Sequence, residues 1–305
     1  EPTALDDPEP FPAGAIQDED GRRVRLHLPS DSGVGDVGGT AAAVPGTEVD
    51  ELRSAVDGAL ASLDATTPVA FSGGVDSALL GATIDAPLYV AGFPESHDIV
   101  AAQSAARRLD REINVLTLDG DMLVEAVPEV VRAIGTTNAM AVEIALVLFL
   151  VAKQTAADGF DRLAIGQGAD EVFGGYAKVA RAPEDPRVDA ETVRDARREV
   201  LETLPGQLTR DIAAIRAGGV EPVVPLLDDR VIRAGLALPG SLLVSRRGER
   251  KWALRLAARA WLPDPIAFRE KKAMQYGSLV SRELDRLARQ AGFKRRMDDH
   301  VTKYV

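Results

Sequence analysis

Apolar residues fall along this chain in two alternating patterns. Short, nearly unbroken apolar runs occupy 69–71, 88–93, 113–118 and 162–165, and between them apolar positions recur every three to four residues. An unbroken run suits a strand buried on both faces, and the longer period suits the apolar stripe of a helix. The pattern predicts helices over 50–63 (Leu52, Val56, Ala59, Leu60, Leu63), from Asp76 onward, and over 97–109, 121–134 and 139–157. Strands of this kind alternating with helices predict an α/β fold built on a doubly wound parallel sheet, whose ligands bind beyond the carboxyl ends of the strands. Residues 181–219 are charged, with apolar positions from Val193 to Ile215 at helical spacing, and add a helical layer against the sheet or the cleft.

Before residue 48 the pattern is lost. Residues 1–47 are rich in Pro, Gly and Asp, with a strand-like piece at 24–28 and a linker-like stretch at 31–39. We therefore expect an N-terminal extension and linker over 1–47 and a main domain over 48–305. The last residues, 290–305, carry Lys294, Arg295 and Arg296 and are expected to fray as a terminus. The chain starts at Glu1 rather than Met, which reads as processing or trimming, and no signal peptide is evident.

Composition narrows the chemistry by exclusion. With 305 residues and 46% hydrophobic content, the chain can build a sizeable core. The best candidate for a membrane span, 141–152, is interrupted by Glu143 and too short, so a buried helix and a cytoplasmic protein are expected. A net charge of −11 argues against nucleic acid as the main partner. The bias to Arg over Lys and to Asp, Ala and Gly suits a GC-rich genome, and fits a salt-loving cell as well as an ordinary acidic cytosolic protein. There is no cysteine, hence no disulfide, thiolate-bound zinc, iron–sulfur cluster or thiol nucleophile. His27, His97 and His300 are scattered, which leaves little basis for a His-rich metal site or a Ser–His–Asp triad.

The chemistry concentrates in two glycine-bearing loops. The first strand runs into Ser72-Gly73-Gly74-Val75-Asp76-Ser77 and then a helix. Glycines let backbone N–H groups converge on an anion, and the helix start adds its own amides and dipole. The lysine of the Walker loop and the glycine spacing of dinucleotide folds are both missing. SGGVDS instead resembles the pyrophosphate loop of the ATP pyrophosphatases. The fourth strand ends in GQGADEVFGGY, residues 166–176, and the pair of motifs resembles the synthetase domain of the glutamine-dependent asparagine synthetases, a family that also contains the β-lactam synthetases. VPLLDDR at 224–230, GERKWALR at 248–255 and the R-x-K element Arg269-Glu270-Lys271 follow in the family's order, so the resemblance covers about 48–278. Phe11-Pro12-Ala13-Gly14, followed by Asp20-Gly21, is similar to the close of the glutaminase domain that precedes the synthetase domain, which makes 1–47 a candidate remnant of it.

The resemblance implies an adenine nucleotide α-hydrolase-like fold of the PP-loop type and an ATP-dependent, AMP-forming carbon–nitrogen ligase. It implies that Ser72, Gly73, Gly74, Asp76 and Ser77 hold pyrophosphate together with Gly166 and Gly168. Adenine is expected near Val90 and Gly92, at the end of the second strand. Asp76 and Asp170 are the expected Mg²⁺ ligands, one from each loop, because hard cations that bridge phosphates take carboxylate oxygens. Lys271, with Arg269 beside it, falls where the family has its catalytic lysine, and Gln167 completes the expected catalytic set.

Two departures qualify the substrate. The cysteine that opens glutamine in the family is missing, so ammonia would come from solution or from a separate glutaminase subunit. Gln167 stands where asparagine synthetases carry Glu, and Thr136-Thr137-Asn138-Ala139 lacks the arginine of the element that binds aspartate. A carboxylic acid other than aspartate is therefore expected as the substrate, with no membrane partner and with assembly into an oligomer left open. Two alternatives stand beside this reading: an RNA-modifying pyrophosphatase that adenylates a tRNA base, and a non-catalytic nucleotide-binding subunit.

Overall fold

In the computed structural model, residues 46–182, 190–270 and 273–305 are described in full, along with the backbone of 15–17 and 23–25. The chain divides into two compact units, Glu1–Ala41 and Ala42–Val305. In the first, β1 (Ala15–Gln17) pairs antiparallel with β2 (Arg23–Arg25). The strand expected at 24–28 overlaps β2 only at its start. Its remainder, the linker-like stretch and the segment at 11–14 lie outside the described residues.

In the second unit, five strands form one parallel sheet: β3 (Val69–Ala70), β4 (Leu88–Gly92), β5 (Ile113–Thr117), β6 (Arg162–Ala164) and β7 (Glu221–Val223). Their order across the sheet is β5-β4-β3-β6-β7. α1 (Thr47–Ala61) precedes β3, and α2 (Val75–Thr83) and α3 (His97–Arg108) follow β3 and β4. α4 (Gly120–Ile134) and α5 (Ala139–Ala157) connect β5 to β6. Between β6 and β7 lie α6 (Ala169–Val172), α7 (Ala177–Arg181) and the long α8 (Val193–Ala217). After β7 come α9 (Asp229–Ala237), α10 (Gly240–Leu243), α11 (Trp252–Ala258), α12 (Asp264–Ala267), α13 (Met274–Gly277), α14 (Val280–Gln290) and α15 (Asp298–Thr302).

The strands are apolar on both faces because each face has its own core. Leu88 and Val90 of β4 enter a cluster with Leu52 and Val56 of α1, Leu79 of α2 and Leu254 of α11. Tyr89 and Ala91 point the other way, toward Leu123 and Val127 of α4 and Leu146 and Phe149 of α5. Alternation of side chains along a strand thus sorts one short sequence into two cores. The doubly wound parallel sheet expected from the pattern is the observed fold.

Three elements differ from expectation. β7 was not foreshadowed, since Glu221-Pro222-Val223 is short and carries a proline. It lies at the sheet edge, where a missing N–H can face away from the ladder. The helix expected over 139–157 is α5, but the apolar segment within it that reads as too short for a membrane span belongs to a 19-residue helix long and apolar enough by length and composition to cross a bilayer; 67% of its apolar window is buried inside the fold. The C-terminal residues, expected to fray, are docked. Arg296 pairs with Glu143 of α5 and Asp285 of α14, the Ala139 N–H donates to Asp298 Oδ1 at 2.8 Å, and His300 and Val301 are buried.

Candidate active site

The chain extends the sheet from β3 through β4 to β5 on one side, then returns to the other side through β6 and β7. The reversal falls between β3 and β6, which is where an open α/β sheet offers a crevice at its carboxyl edge. Both glycine-bearing loops leave from these two strands and flank that crevice.

The first loop is tied to itself. Gly73 has a φ of +71°, and a Cβ there would stand 2.6 Å from the Ala101 carbonyl oxygen, so both conformation and space demand glycine. The Ser72 N–H donates to Ser77 Oγ at 3.1 Å, and Ser77 Oγ donates to the Gly74 carbonyl at 3.3 Å. α2 then starts without a side-chain cap, a helix beginning that suits an anion. The second loop approaches the first closely: a Cβ on Gly166 would lie 2.9 Å from Asp76 Cβ.

One cation joins the loops. Lys251 Nζ donates to Asp76 Oδ2 at 2.6 Å and pairs with Asp170 Oδ1 at 2.7 Å. Lys251 precedes α11 in the left-handed region, with φ at +57°. Arg250 Nη1 donates to the Gly175 carbonyl at 2.7 Å, and Arg255 Nε donates to the Arg250 carbonyl at 2.7 Å, so the backbone on either side is pinned. Arg255 Nη1 also donates to the carbonyls of Ala267 and Arg269, which fastens the R-x-K segment to the same guanidinium. Burial lowers the pKa of Arg255 and of Arg269.

Two cavities meet at this point. One is a largely apolar slot lined by Ala70, Tyr89, Val90, Ala91, Val147, Leu148 and Met274, with Ser72, Asp76, Ser77 and Gln167 at its polar end. The other is an open cleft of about 500 Å³ that shares Asp76, Gly166 and Gln167 with the first. Cations Arg210, Arg250, Lys251, Arg255 and Arg269 line it together with the carboxylates of Asp170, Glu171 and Asp211.

The cleft also holds two residues that the sequence did not single out, Arg210 and Asp211. Gln167 Nε2 donates to Asp211 Oδ2 at 2.8 Å, and Arg210 contacts Asp211 Oδ1 at 2.6 Å. A carboxylate partnered in this way accepts, which turns the Gln167 amide so that Nε2 faces Asp211 and Oε1 faces elsewhere. Burial pushes the Asp211 carboxyl up, with Arg210 and Gln167 pulling it back. Burial likewise raises Glu171, whose Oε1 accepts a 2.6 Å hydrogen bond from the Tyr176 hydroxyl.

Of the expected site residues, Ser72, Asp76, Ser77, Val90, Gly166 and Gln167 line the apolar slot. Asp76, Gly166, Gln167, Gly168, Asp170 and Arg269 line the cleft. Gly73 and Gly74 shape the first loop, and Gly92 packs against Ser96 Oγ at the end of β4. Lys271 lies outside the described residues. Ala139 is buried, and Asn138 caps α5 through the Ala141 N–H at 3.1 Å.

Among the described residues, no group of three or more His, Asp or Glu side chains gathers to hold a metal. Asp76 and Asp170 still fit Mg²⁺, because each has an oxygen within 2.7 Å of one ammonium nitrogen. Two hard carboxylate oxygens converging on one point are what a cation that completes its shell with phosphate and water requires.

The family profile described as asparagine synthase matches residues 49–196 and 182–301. The chain is 29% identical over 266 residues to a Methanocaldococcus jannaschii protein whose name as a glutamine-hydrolyzing asparagine synthetase is itself provisional, covering 75% of this chain and 49% of that protein. It is 27% identical over 257 residues to asparagine synthetase B of Escherichia coli, covering 76% and 45%. A glutamine-hydrolyzing asparagine synthetase of Brassica oleracea is 27% identical over 264 residues, covering 77% and 44%. The chain thus spans less than half the length of these relatives.

Proposed function

This chain belongs to the asparagine synthase family, and from that premise we propose that it is an ATP-dependent, AMP-forming amide ligase that joins ammonia to a carboxylic acid. The observation that supports this most is the convergence of Asp76, Asp170 and Lys251 beside an apolar slot at the sheet reversal. The slot suits adenine near Val90. Ser72, Gly73, Gly74 and Ser77 suit the β- and γ-phosphates, with Gly166 and Gly168 across from them.

In the first half-reaction a carboxylate oxygen of the substrate attacks the α-phosphorus, the bond to the β-phosphate oxygen breaks, and pyrophosphate leaves. In the second, the ammonia nitrogen attacks the acyl carbon, sheds a proton, and AMP leaves. Negative charge moves onto phosphate oxygens in both, and fixed cations lower its cost. Asp76 and Asp170 would hold Mg²⁺, which neutralises phosphate charge when bound. Lys251, Arg250 and Arg269 face the cleft in which that charge develops, and Lys271 is assigned to the transition states of both steps. Gln167, whose amide donates to Asp211, is assigned to orient the nitrogen nucleophile or the substrate.

We assign an acid other than aspartate, since Ala139 offers no cation and Gln167 no charge of its own. Ammonia is supplied from solution or by a separate glutaminase subunit, the setting is the cytoplasm, and residues 1–47 form an extension distinct from the synthetase domain at 48–305.

A pyrophosphate-release screen over candidate acids with Mg²⁺, ATP and ammonium is expected to find an acid that gives AMP and an amide in equal amounts. Glutamine alone is expected to give none. ATP cleaved to AMP only with tRNA, or no turnover with any acid, would overturn the reading. Lys271→Ala is expected to lower turnover at saturating ATP by about 10²–10³, as loss of a preorganised donor does. Weakened ATP binding with turnover intact would remove its catalytic role.

A further inference from the structure

Lys251 stands at the point where a cation shared by Asp76 and Asp170 would sit. Its side chain is 5% exposed and that of Asp76 is 4%, whereas Asp170 is 36% exposed and opens to the cleft. The arrangement is built for this contact. A Cβ on Gly175 would overlap both Asp170 Oδ1 and Lys251 Cε, so glycine there clears the space that the pair occupies. The lysine backbone is held on both sides through Arg250 and Arg255, which leaves the four-carbon stem as the part able to move.

Electrostatics makes the two cations compete. A divalent ion seated where Asp76 Oδ2 and Asp170 Oδ1 converge would take those oxygens at about 2.0–2.1 Å, inside the distances that the ammonium now holds. Adding it beside a retained ammonium, in a site largely withdrawn from water, would set like charges against each other where screening is weak. A triphosphate changes the balance, because its oxygens supply acceptors for the displaced ammonium and further ligands for the metal. We propose that Lys251 is a resident counterion that closes the Asp76–Asp170 pair to divalent cations until nucleotide phosphates arrive, so that metal and nucleotide bind as one unit. The inference rests on the assignment of Asp76 and Asp170 as the cation ligands.

The test follows Mn²⁺ by electron paramagnetic resonance on the full chain, with and without an ATP analogue whose α,β-bridge is methylene, so that no turnover intervenes. For the unaltered protein, Mn²⁺ alone is expected to bind weakly, and the analogue to tighten it by about a hundredfold, near the upper end of usual couplings between ligands. Lys251→Met is expected to bind Mn²⁺ alone at least about tenfold more tightly than the unaltered protein, and to lose most of the dependence on analogue. Its melting temperature is expected to rise with Mn²⁺ alone, while that of the unaltered protein stays fixed. Should Lys251→Met fold poorly, Lys251→Gln removes the charge while keeping a donor and is expected to shift Mn²⁺ binding the same way. Equal Mn²⁺ affinity in the unaltered protein and the charge-removed variant overturns the counterion role. The ligand assignment is judged separately: Asp170→Asn must abolish analogue-dependent Mn²⁺ binding, and unchanged binding in that variant overturns the assignment and with it the inference.

Discussion

Lys251 between Asp76 and Asp170, and Arg296 between Glu143 and Asp285, share an outline of one cation and two carboxylates from three separate elements. They differ in the cation and in its setting. Arg296 meets both oxygens of Asp285 at 3.2 Å through Nη1, and its own backbone N–H donates to the same carboxylate at 2.8 Å. Glu143 is fully buried in α5. A planar guanidinium with several fixed donors is a fastener, and here it fastens the C-terminus. An ammonium is a single point of charge on a flexible stem, and Lys251 borders a cleft that both glycine-bearing loops line. A buried ion pair therefore says little about role by itself; the type of cation and what the pair borders decide.

The largest expected effect tests whether the Lys251 cluster is more than another fastener. Asp76→Asn or Asp170→Asn is expected to lower AMP formation by about 10²–10³ or more, with circular dichroism unchanged. Wild-type turnover in either would make the two clusters alike. Next, Arg296→Met strands the Glu143 carboxylate in the core and is expected to cost about 3–5 kcal/mol in urea unfolding. A loss below about 1 kcal/mol, the range of exposed pairs, would show that the tail is not fastened there. The smallest effect concerns His300, whose Nε2 lies 2.7 Å from the Tyr304 hydroxyl. Burial, aided by Lys303, lowers its pKa, so the folded state favours the neutral ring. This contribution to stability is present above the unfolded value of about 6.5 and is lost as pH falls through that value toward the folded one. His300→Phe is expected to flatten the fall in melting temperature between pH 7 and 5.5, and an unchanged slope would count against it.

The sheet and its two loops were legible because they rest on local signals. Apolar runs with no polar break mark β3 and β4, and glycines next to a carboxylate mark the loops that follow β3 and β6. What the sequence left dark depends on distant partners. Nothing in the run around Asp211 separates it from the solvated charges of α8, and its meaning comes from Gln167 in another element. Lys251 falls in GERKWALR, an element the sequence marks without giving the lysine a role; its partners appear only when the start of α11 brings it to Asp76. The tail was misread for the same reason: His300 and Val301 are few in number, and only α5 and α14 give them something to pack against. β7 went unseen because three residues with a proline carry no periodicity.

The order of strands across the sheet also has a consequence for how the chain reaches this state. β3, β4 and β5 are neighbours in sequence as well as in space, so their pairing closes only short loops. β6 must reach β3 from much later in the chain, through the single register pair Val69 with Ala164, and β7 comes later still. Pairing across long loops carries the larger entropic cost and tends to come late. Asp76 lies in the early half, while Asp170 and Lys251 arrive with the late one. A half-folded chain would own the first loop alone, so the complete site doubles as a marker that the whole sheet has closed.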